Sequence, residues 1–339
     1  MKRTHHTVPL AWKILLLLFP IAVSLAALCI GRMEISPGQV FSSISTHLFG
    51  GMLEEPIVEL TLWKIRLPRI LLALLVGAGL SVSGCVFQSL FSNPLATPDT
   101  LGVASGSSFG AALALLLGMN LIGVQAVSLL CGMSAVALTV LAGMGKNRKG
   151  LSGVVLAGIM IGSLFNSFVS LVKFAADTES QLPEITYWLM GSLNSANYRS
   201  LLLGAPPILI GMLILFLLRW RLNLLPLSEE EARATGVKIQ ALRVVTELCA
   251  TMITASCVSM CGQVGWVGLL IPHMCRMKFG NNHTTLLPVS IFTGAAFMVI
   301  VDTLARSVSA SEIPISILTA IIGAPFFIYL MRKTEGWQL

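Results

Sequence analysis

Ser105, followed by Gly106, and His273 are the first residues to weigh for chemistry, because a serine hydroxyl beside an imidazole is the minimal nucleophile and base of an intramembrane serine protease. The flanking residues argue against it. Val103 stands where such a protease needs a glycine, and Ser105 lies among small residues that already have a packing use. Gly143-Met144-Gly145-Lys146-Asn147 has the wrong spacing for a phosphate loop and no hydroxyl after the lysine. The sequence contains no His-Glu-x-x-His. Its seven cysteines (Cys29, Cys85, Cys131, Cys249, Cys257, Cys261 and Cys275) lie in or beside apolar runs without a Cys-x-x-Cys. They read as small core residues rather than as a disulfide framework or a metal site. His273, beside Pro272 and with no second ligand at useful spacing, reads as a hydrogen-bonded structural histidine. Neither a bound cofactor nor a metal is expected, and the chain is not expected to be an enzyme.

The elements that carry these residues are membrane helices. The 339 residues are 55% hydrophobic and 11% charged, with a mean hydropathy of +0.85, whereas a soluble domain carries roughly 25% charged residues. Apolar runs bounded by charges or turn residues give ten spans in a single all-α domain, near 13–30, 66–90, 99–118, 121–142, 151–172, 201–220, 241–261, 266–277, 286–305 and 315–331. The run at 266–277 is only about half of the ~20 residues that cross a bilayer, so it is expected inside the bundle, covered by protein. Leu25-Ala26-Ala27-Leu28-Cys29 resembles a lipoprotein cleavage box, but Leu28 is too large for it, and the first run reads as an uncleaved helix.

Charge sets the orientation. With a cytoplasmic N-terminus, fifteen of the 22 Lys and Arg residues fall on the cytoplasmic side. Arg32, Lys64, Arg66, Arg69, Lys173, Arg199 and Arg306 fall outside, which obeys the positive-inside rule with both termini in the cytoplasm. The formal charge of +7 is scattered over short loops, a pattern of topology and not of a nucleic-acid-binding face. Glu54, Glu55 and Glu59 read as solvated surface.

Two segments look like working parts. In Asn93-Pro94-Leu95-Ala96-Thr97-Pro98-Asp99-Thr100-Leu101-Gly102, two prolines and a few polar groups interrupt the apolar run. Beyond it, Gly102, Gly106, Gly110, Ala114 and Gly118 recur every four residues, stacking small side chains on one helix face. The second segment, Leu227-Ser228-Glu229-Glu230-Glu231-Ala232-Arg233-Ala234-Thr235-Gly236, spells a short polar helix. Ser228 and Glu231 form a capping box, the glutamates sit at the positive end of the dipole, and Gly236 supplies a left-handed stop. On helix physics alone it is either a tidy loop or a lever that enters a partner's groove.

With these residues go further landmarks in fixed order: Arg66-Leu67-Pro68-Arg69, Gly77-Ala78-Gly79-Leu80, Gln88-Ser89-Leu90-Phe91-Ser92-Asn93-Pro94-Leu95-Ala96 and Leu156-Ala157-Gly158. Then come Ala232-Arg233-Ala234-Thr235-Gly236-Val237, Val267-Gly268-Leu269-Leu270-Ile271-Pro272-His273, Asp302-Thr303-Leu304-Ala305-Arg306 and Gly323-Ala324-Pro325-Phe326-Phe327. From about Arg66 to Arg332 the chain resembles the permease family of ATP-driven importers for cobalamin, haem and ferric siderophores. Where many relatives have Gly-Pro-Ile-Gly-Phe, it has Gly262-Gln263-Val264-Gly265-Trp266.

The resemblance implies a type II ABC importer permease in a prokaryotic plasma (inner) membrane: a homodimer of ten-helix subunits with a pathway along the twofold axis. It also implies two separate ATP-binding subunits, which hold the ATP and magnesium, and an extracytoplasmic substrate-binding protein. By position in the motifs it assigns docking of that protein to Arg66, Arg69 and Arg306, and the cytoplasmic gate to Asn93, Leu95, Leu151 and Ser152. Coupling to the ATPase goes to Ser228, Glu229, Glu230, Glu231, Ala232, Arg233 and Gly236. The three arginines have competing uses, as headgroup anchors or, for Arg306, as a helical pair with Asp302 four residues earlier. On the fifth span, which lines the pathway in the family, Gly158, Gly162, Asn166 and Ser170 form a small-to-polar stripe that suits either a pathway wall or helix packing. The cargo expected is a ferric siderophore, haem or cobalamin, with an oxyanion such as molybdate also open. An ion-coupled secondary transporter would want acids near the midplane, whereas Asp302 and Glu247 lie near opposite ends of their spans.

Overall fold

Each apolar run folds as a helix, because no backbone polar group can be left unpaired in lipid. The computed structural model describes residues 9–50, 55–143, 151–227, 231, 234–309 and 311–333. The helices are α1 (Leu10–Cys29), α2 (Pro37–Phe49), α3 (Pro56–Leu90), α4 (Val103–Leu116), α5 (Leu121–Gly143) and α6 (Leu151–Ala175). They continue with α7 (Gln181–Leu189), α8 (Tyr198–Leu217), α9 (Ile239–Cys261), α10 (Val267–Phe279), α11 (His283–Ser307) and α12 (Ile315–Lys333). Among the described residues, seven are long and apolar enough to cross a membrane: α1, α3, α5, α6, α8, α9 and α11. Two further apolar helices, Val103–Leu116 and Ile315–Tyr329, are shorter. The 13-residue α10 is the short run expected inside the bundle. Val267, Gly268, Leu270, Ile271, Pro272 and Cys275 are buried, and α10 packs on α3, α11 and α12.

α3 is the axis of the packing. It is 35 residues long, and 83% of its most apolar stretch is buried inside the protein. A wide π turn at Thr61–Arg66 precedes Pro68, whose missing N–H leaves the helical ladder one bond short. α11, α9, α10 and α8 surround it. On the other side of α9 lies the tight pair α4–α5, and α6 covers that pair.

Small residues set the approach distances. A Cβ on Gly84 would stand 1.8 Å from the carbonyl oxygen of Gly268, so α3 and α10 touch backbone to backbone. In the four-residue series of α4, Gly106 and Gly110 meet Cys131 and Val127 of α5 in the same way. The two ends of that series serve the chain's course instead. Gly102 (φ +74°) and Gly118 (φ +64°) take left-handed conformations just outside α4. The bend before α10 forms from Gly262 (φ +73°) and, unusually for a non-glycine, Trp266 (φ +68°), whose ring packs on Gly323 of α12.

Two helices lie outside the expected spans. Ser36 caps α2, with Gln39 completing a capping box, and α2 folds back over the start of α3 through Val40, Val58 and Leu62. Glu59 is thereby engaged, accepting a 2.7 Å hydrogen bond from Ser43 and lying 3.4 Å from His47. Glu55 accepts from Gln39 at 3.2 Å. The reading of Glu59 as solvated surface is corrected, because the capping box brings α2 within its reach; Glu55 stays exposed, and Glu54 lies outside the described residues.

Close packing at Gly84 has a direct consequence. Gly84→Ala should destabilise the protein by about 1–3 kcal/mol, the usual penalty for overpacking. Gly265→Ala should be neutral, since nothing lies within 4 Å of the added methyl and its backbone is not left-handed. Thermal unfolding in detergent checks both, and equal melting temperatures would refute the backbone contact.

Candidate functional site

Three places combine polar groups with access or charge: the start of α3, the exposed face of α6, and the turn that follows α3. At the first, Arg66, Arg69 and Arg306 converge, but none is free at a rim. They are 3%, 6% and 7% exposed. Arg69 donates from Nε to both Asp302 oxygens at 2.9 and 3.1 Å, and from Nη1 to Glu312 at 2.9 and 3.0 Å. The expected helical pair also exists, with Arg306 Nε 3.8 Å from Asp302. Arg306 further donates to the carbonyl of Ala27, and Arg66 to those of Leu28 and Met33. Ala27 and Leu28 belong to the last turn of α1, where carbonyls lack helical partners and the dipole favours a cation. Arg69 and Arg306 are thus held in a buried ionic network and Arg66 by main-chain carbonyls, so none stands exposed as a headgroup anchor. Asp302 is committed to Arg69 and is not a free carrier acid.

On α6 the four-residue stripe divides. Gly158 and Gly162 are buried, and a Cβ on Gly158 would stand 2.0 Å from the carbonyl oxygen of Thr100, so this half is helix packing. Asn166 and Ser170 are exposed. With them stand Ser163 and Ser167, also exposed, and together they fall at i, i+3, i+4 and i+7 on a single helix face. The hydroxyls of Ser163, Ser167 and Ser170 donate back to carbonyls of α6 at 2.8–3.0 Å. The Asn166 amide, midway along a membrane helix, needs water or protein opposite it. Ser163 and Ser167 were missed because a four-residue step selects one row of a helix, whereas an exposed face uses steps of three and four.

After α3 the chain turns at Ser92 (φ +49°). Asn93 Oδ1 accepts the Leu95 N–H at 2.9 Å, and the Asn93 carbonyl accepts the Ala96 N–H at 3.0 Å. Asn93 thus holds its own turn, while Leu95 projects outward at 49% exposure. The turn borders a cavity of about 690 Å3 lined by Gln88, Ser89, Asn93, Asn223, Arg276 and His283, among others. Of the remaining gate residues, Leu151 and Ser152 open α6, and their side chains lie outside the described residues. Of the coupling segment, Ser228, Glu229, Glu230, Ala232 and Arg233 lie outside them too. Glu231 is helical and exposed, and Gly236 has the left-handed φ of +73°. The Ser–His dyad is not assembled: Ser105 faces Gly162 of α6, while His273 lies in the cavity against Phe327 of α12.

The arrangement combines an exposed polar face on α6 with a polar turn after α3, and comparison with known proteins gives the chain a family. The family model described as the FecCD transport family matches residues 16–333. The chain belongs to the FecCD transport family. It is a multi-pass membrane permease of the ABC importer class. The molybdate import system permease protein MolB of Haemophilus influenzae is 43% identical over 94% of this chain and 95% of its own length. The cobalamin import system permease protein BtuC of Halobacterium salinarum is 38% identical over 80% of this chain and 73% of its own. A solved structure of an inward-facing ABC transporter of metal-chelate type aligns with a TM-score of 0.85 and 43% identity, covering 95% of this chain and 99% of that one.

In this FecCD permease the ionic network should be indispensable. Arg69→Ala would leave the Asp302 and Glu312 carboxylates short of their cation, which in a buried pair costs about 3–5 kcal/mol. Loss of the monodisperse protein on size exclusion is the expected result, and an unchanged melting temperature would contradict it.

Proposed function

We propose that this chain is one half of a homodimeric importer permease in a prokaryotic plasma membrane, with both termini in the cytoplasm. The exposed Ser163, Asn166, Ser167 and Ser170 face of α6 lines the path on the twofold axis, and this face is the observation that carries the reading. Neutral hydroxyls and amides let a polar cargo pass without a fixed charge to trap it, so selectivity belongs to an extracytoplasmic binding protein that delivers the cargo. The three buried arginines act beneath that protein's docking surface by holding the outer ends of α1, α3 and α11 together. Two ATP-binding subunits dock at residues 228–236, and the turn at Asn93 and Leu95, with Leu151 and Ser152, closes the inner end. The chain itself hydrolyses nothing and binds no cofactor; ATP and magnesium sit on its partners.

For the cargo we propose a small tetrahedral oxyanion of the molybdate class. The support is the 43% identity, along nearly the whole of both chains, to a molybdate permease. A ferric chelate is the second reading, favoured by the metal-chelate type of the similar solved structure and by relatives such as the haemin permease HmuU of Yersinia pestis, 35% identical.

Proteoliposomes holding the permease with its ATPase and binding protein decide between them. ATP-driven accumulation of radioactive molybdate, with none of a ferric hydroxamate, is expected. The opposite preference would leave the importer standing and replace the cargo, while no ATP-driven uptake of either would remove the importer. In the same vesicles, with Cys29 and Cys131 replaced, Asn166→Cys should react with a membrane-impermeant maleimide. Leu213→Cys, on an exposed apolar face of α8, should not. An inert Asn166→Cys would take α6 off the path.

A further inference from the structure

The inner end of α3 is held by a neutral hydrogen-bonded chain that passes through one imidazole. His283 is the first residue of α11 and 2% exposed. Its ring bridges two elements that are far apart in sequence. On one side, Nδ1 lies 3.0 Å from Oδ1 of Asn223, in the one-turn helix Arg221–Leu224 that precedes residues 228–236. On the other, Nε2 lies 2.6 Å from Oγ of Ser89, in the last turn of α3.

The proton positions follow from the neighbours. The backbone N–H of His283 donates to Asn223 Oδ1 at 2.9 Å, so that oxygen is an acceptor and Nδ1 must carry the hydrogen facing it. Nε2 of the neutral ring is then an acceptor for the Ser89 hydroxyl, whose one hydrogen has the Cys85 carbonyl at 3.0 Å as its alternative. Arg276 of α10 donates to the same hydroxyl oxygen at 3.1 Å and to the Cys85 carbonyl at 3.1 Å. Asn223 also donates from Nδ2 to Asn282 Oδ1 at 3.2 Å, and that oxygen caps α11 by accepting the Thr284 N–H at 3.0 Å.

Beyond Ser89 the chain leads straight into the gate turn. The Ser89 carbonyl accepts the Ser92 N–H at 3.2 Å, and the Gln88 carbonyl accepts the Asn93 N–H at 3.0 Å. Asn223–His283–Ser89 is thus a direct connection, buried at its serine and histidine, between the loop that enters the cytoplasmic segment and the helix end that sets Asn93 and Leu95. We infer that His283 is a positioning residue of the transport cycle, a strut that transmits displacement of the cytoplasmic loop to the gate turn. The inference rests on the importer reading. A strut of single hydrogen bonds suits this task, because two neutral partners can follow one another through a movement without exposing a buried charge.

The test is the number of cargo molecules moved per ATP hydrolysed, in proteoliposomes of the complete complex, using whichever of molybdate or a ferric hydroxamate the wild type pumps. Three variants break the strut at separate points. Ser89→Ala removes the hydroxyl, His283→Asn keeps a donor for Asn223 but cannot reach Ser89, and Asn223→Ala cuts the other arm. Each is expected to continue hydrolysing ATP while moving roughly tenfold less cargo per ATP, the factor that follows from losing about one buried hydrogen bond in a two-state transmission. The gate gives a second readout. Leu95→Cys, at an outward-projecting side chain and with Cys29 and Cys131 replaced, should change its labelling rate on ATP addition and lose that response with His283→Asn.

A merely structural histidine would lower hydrolysis and uptake in proportion, with the melting temperature, and that result would overturn the strut. So would an unchanged ratio of cargo to ATP in Ser89→Ala and His283→Asn. A wild type that fails to pump at all would instead remove the importer reading, and the strut with it.

Discussion

The structure depends on the near-complete burial of α3. A helix with lipid on one side can shift or tilt at little cost, but one enclosed on every side can move only as its neighbours allow. In α3 the enclosure is achieved with glycine. Gly77 meets Gly294 of α11, Gly79 meets Ile253 and Cys257 of α9, and Gly84 meets Gly268 of α10. Lipid tails supply no hydrophobic drive between helices, so association relies on such close contacts and on hydrogen bonds that survive in a dry interior. α1, by contrast, has only 11% of its apolar stretch buried, and it is fixed to the bundle partly through arginines that take its terminal carbonyls. Gly31 stands where a methyl would come within 2.7 Å of Arg66 Nη2, which keeps room for that attachment.

Much of this was legible in the sequence, for identifiable reasons. Helix positions follow from apolar run lengths, because the solvent outside the helix is itself apolar and the run must match it. The turn after α3 follows from Pro94 and Pro98, and the left-handed Gly236 from its place after a polar helix. The capping box of α2, Ser36-Pro37-Gly38-Gln39, is written plainly, but at 13 residues the helix is too short to span, so the length of apolar runs does not reveal it. α7 has the same explanation: it lies between two spans and is too short to be one.

The functional residues were harder to read, since exposure is a property of the assembled bundle. Arg66, Arg69 and Arg306 stand at span ends, where a lone cation would reach the headgroups. The acids that hold Arg69, Asp302 and Glu312, are more than two hundred residues from it in sequence, so nothing local announces that pairing. For α6 the four-residue stripe crosses two faces: Gly158 and Gly162 turn inward, whereas Asn166 and Ser170 stand exposed beside Ser163 and Ser167. His283 was not singled out at all. Its neighbours Asn281 and Asn282 suggest a loop and a cap, and its two ring partners come from the ends of other helices.

The two ends of α3 differ in a way that bears on which of them can move. At its Arg69 end two guanidinium groups, of Arg69 and Arg306, interlock with two carboxylates at the edge of a low-dielectric interior, while Arg66 takes carbonyls at the end of α1 and beyond it. Separating any pair would strand a charge, and the cost is several kcal/mol, more than the differential affinity of most ligands provides. At the Leu90 end of α3 the links are a hydroxyl, an imidazole and carboxamides, with the Arg276 cation donating to the hydroxyl. Each neutral bond is worth about 0.5–1.5 kcal/mol net, and each group has an alternative partner beside a cavity of about 690 Å3 that water can enter. A load shared by the two ends would therefore displace the Leu90 end first. With the Arg69 end as the fixed point, a small rotation of α3 becomes its largest displacement at Leu90 and the turn beyond it. That is where Asn93 and Leu95 stand, so the asymmetry of the bonding, more than the prolines alone, supports the gate proposed at the turn after α3.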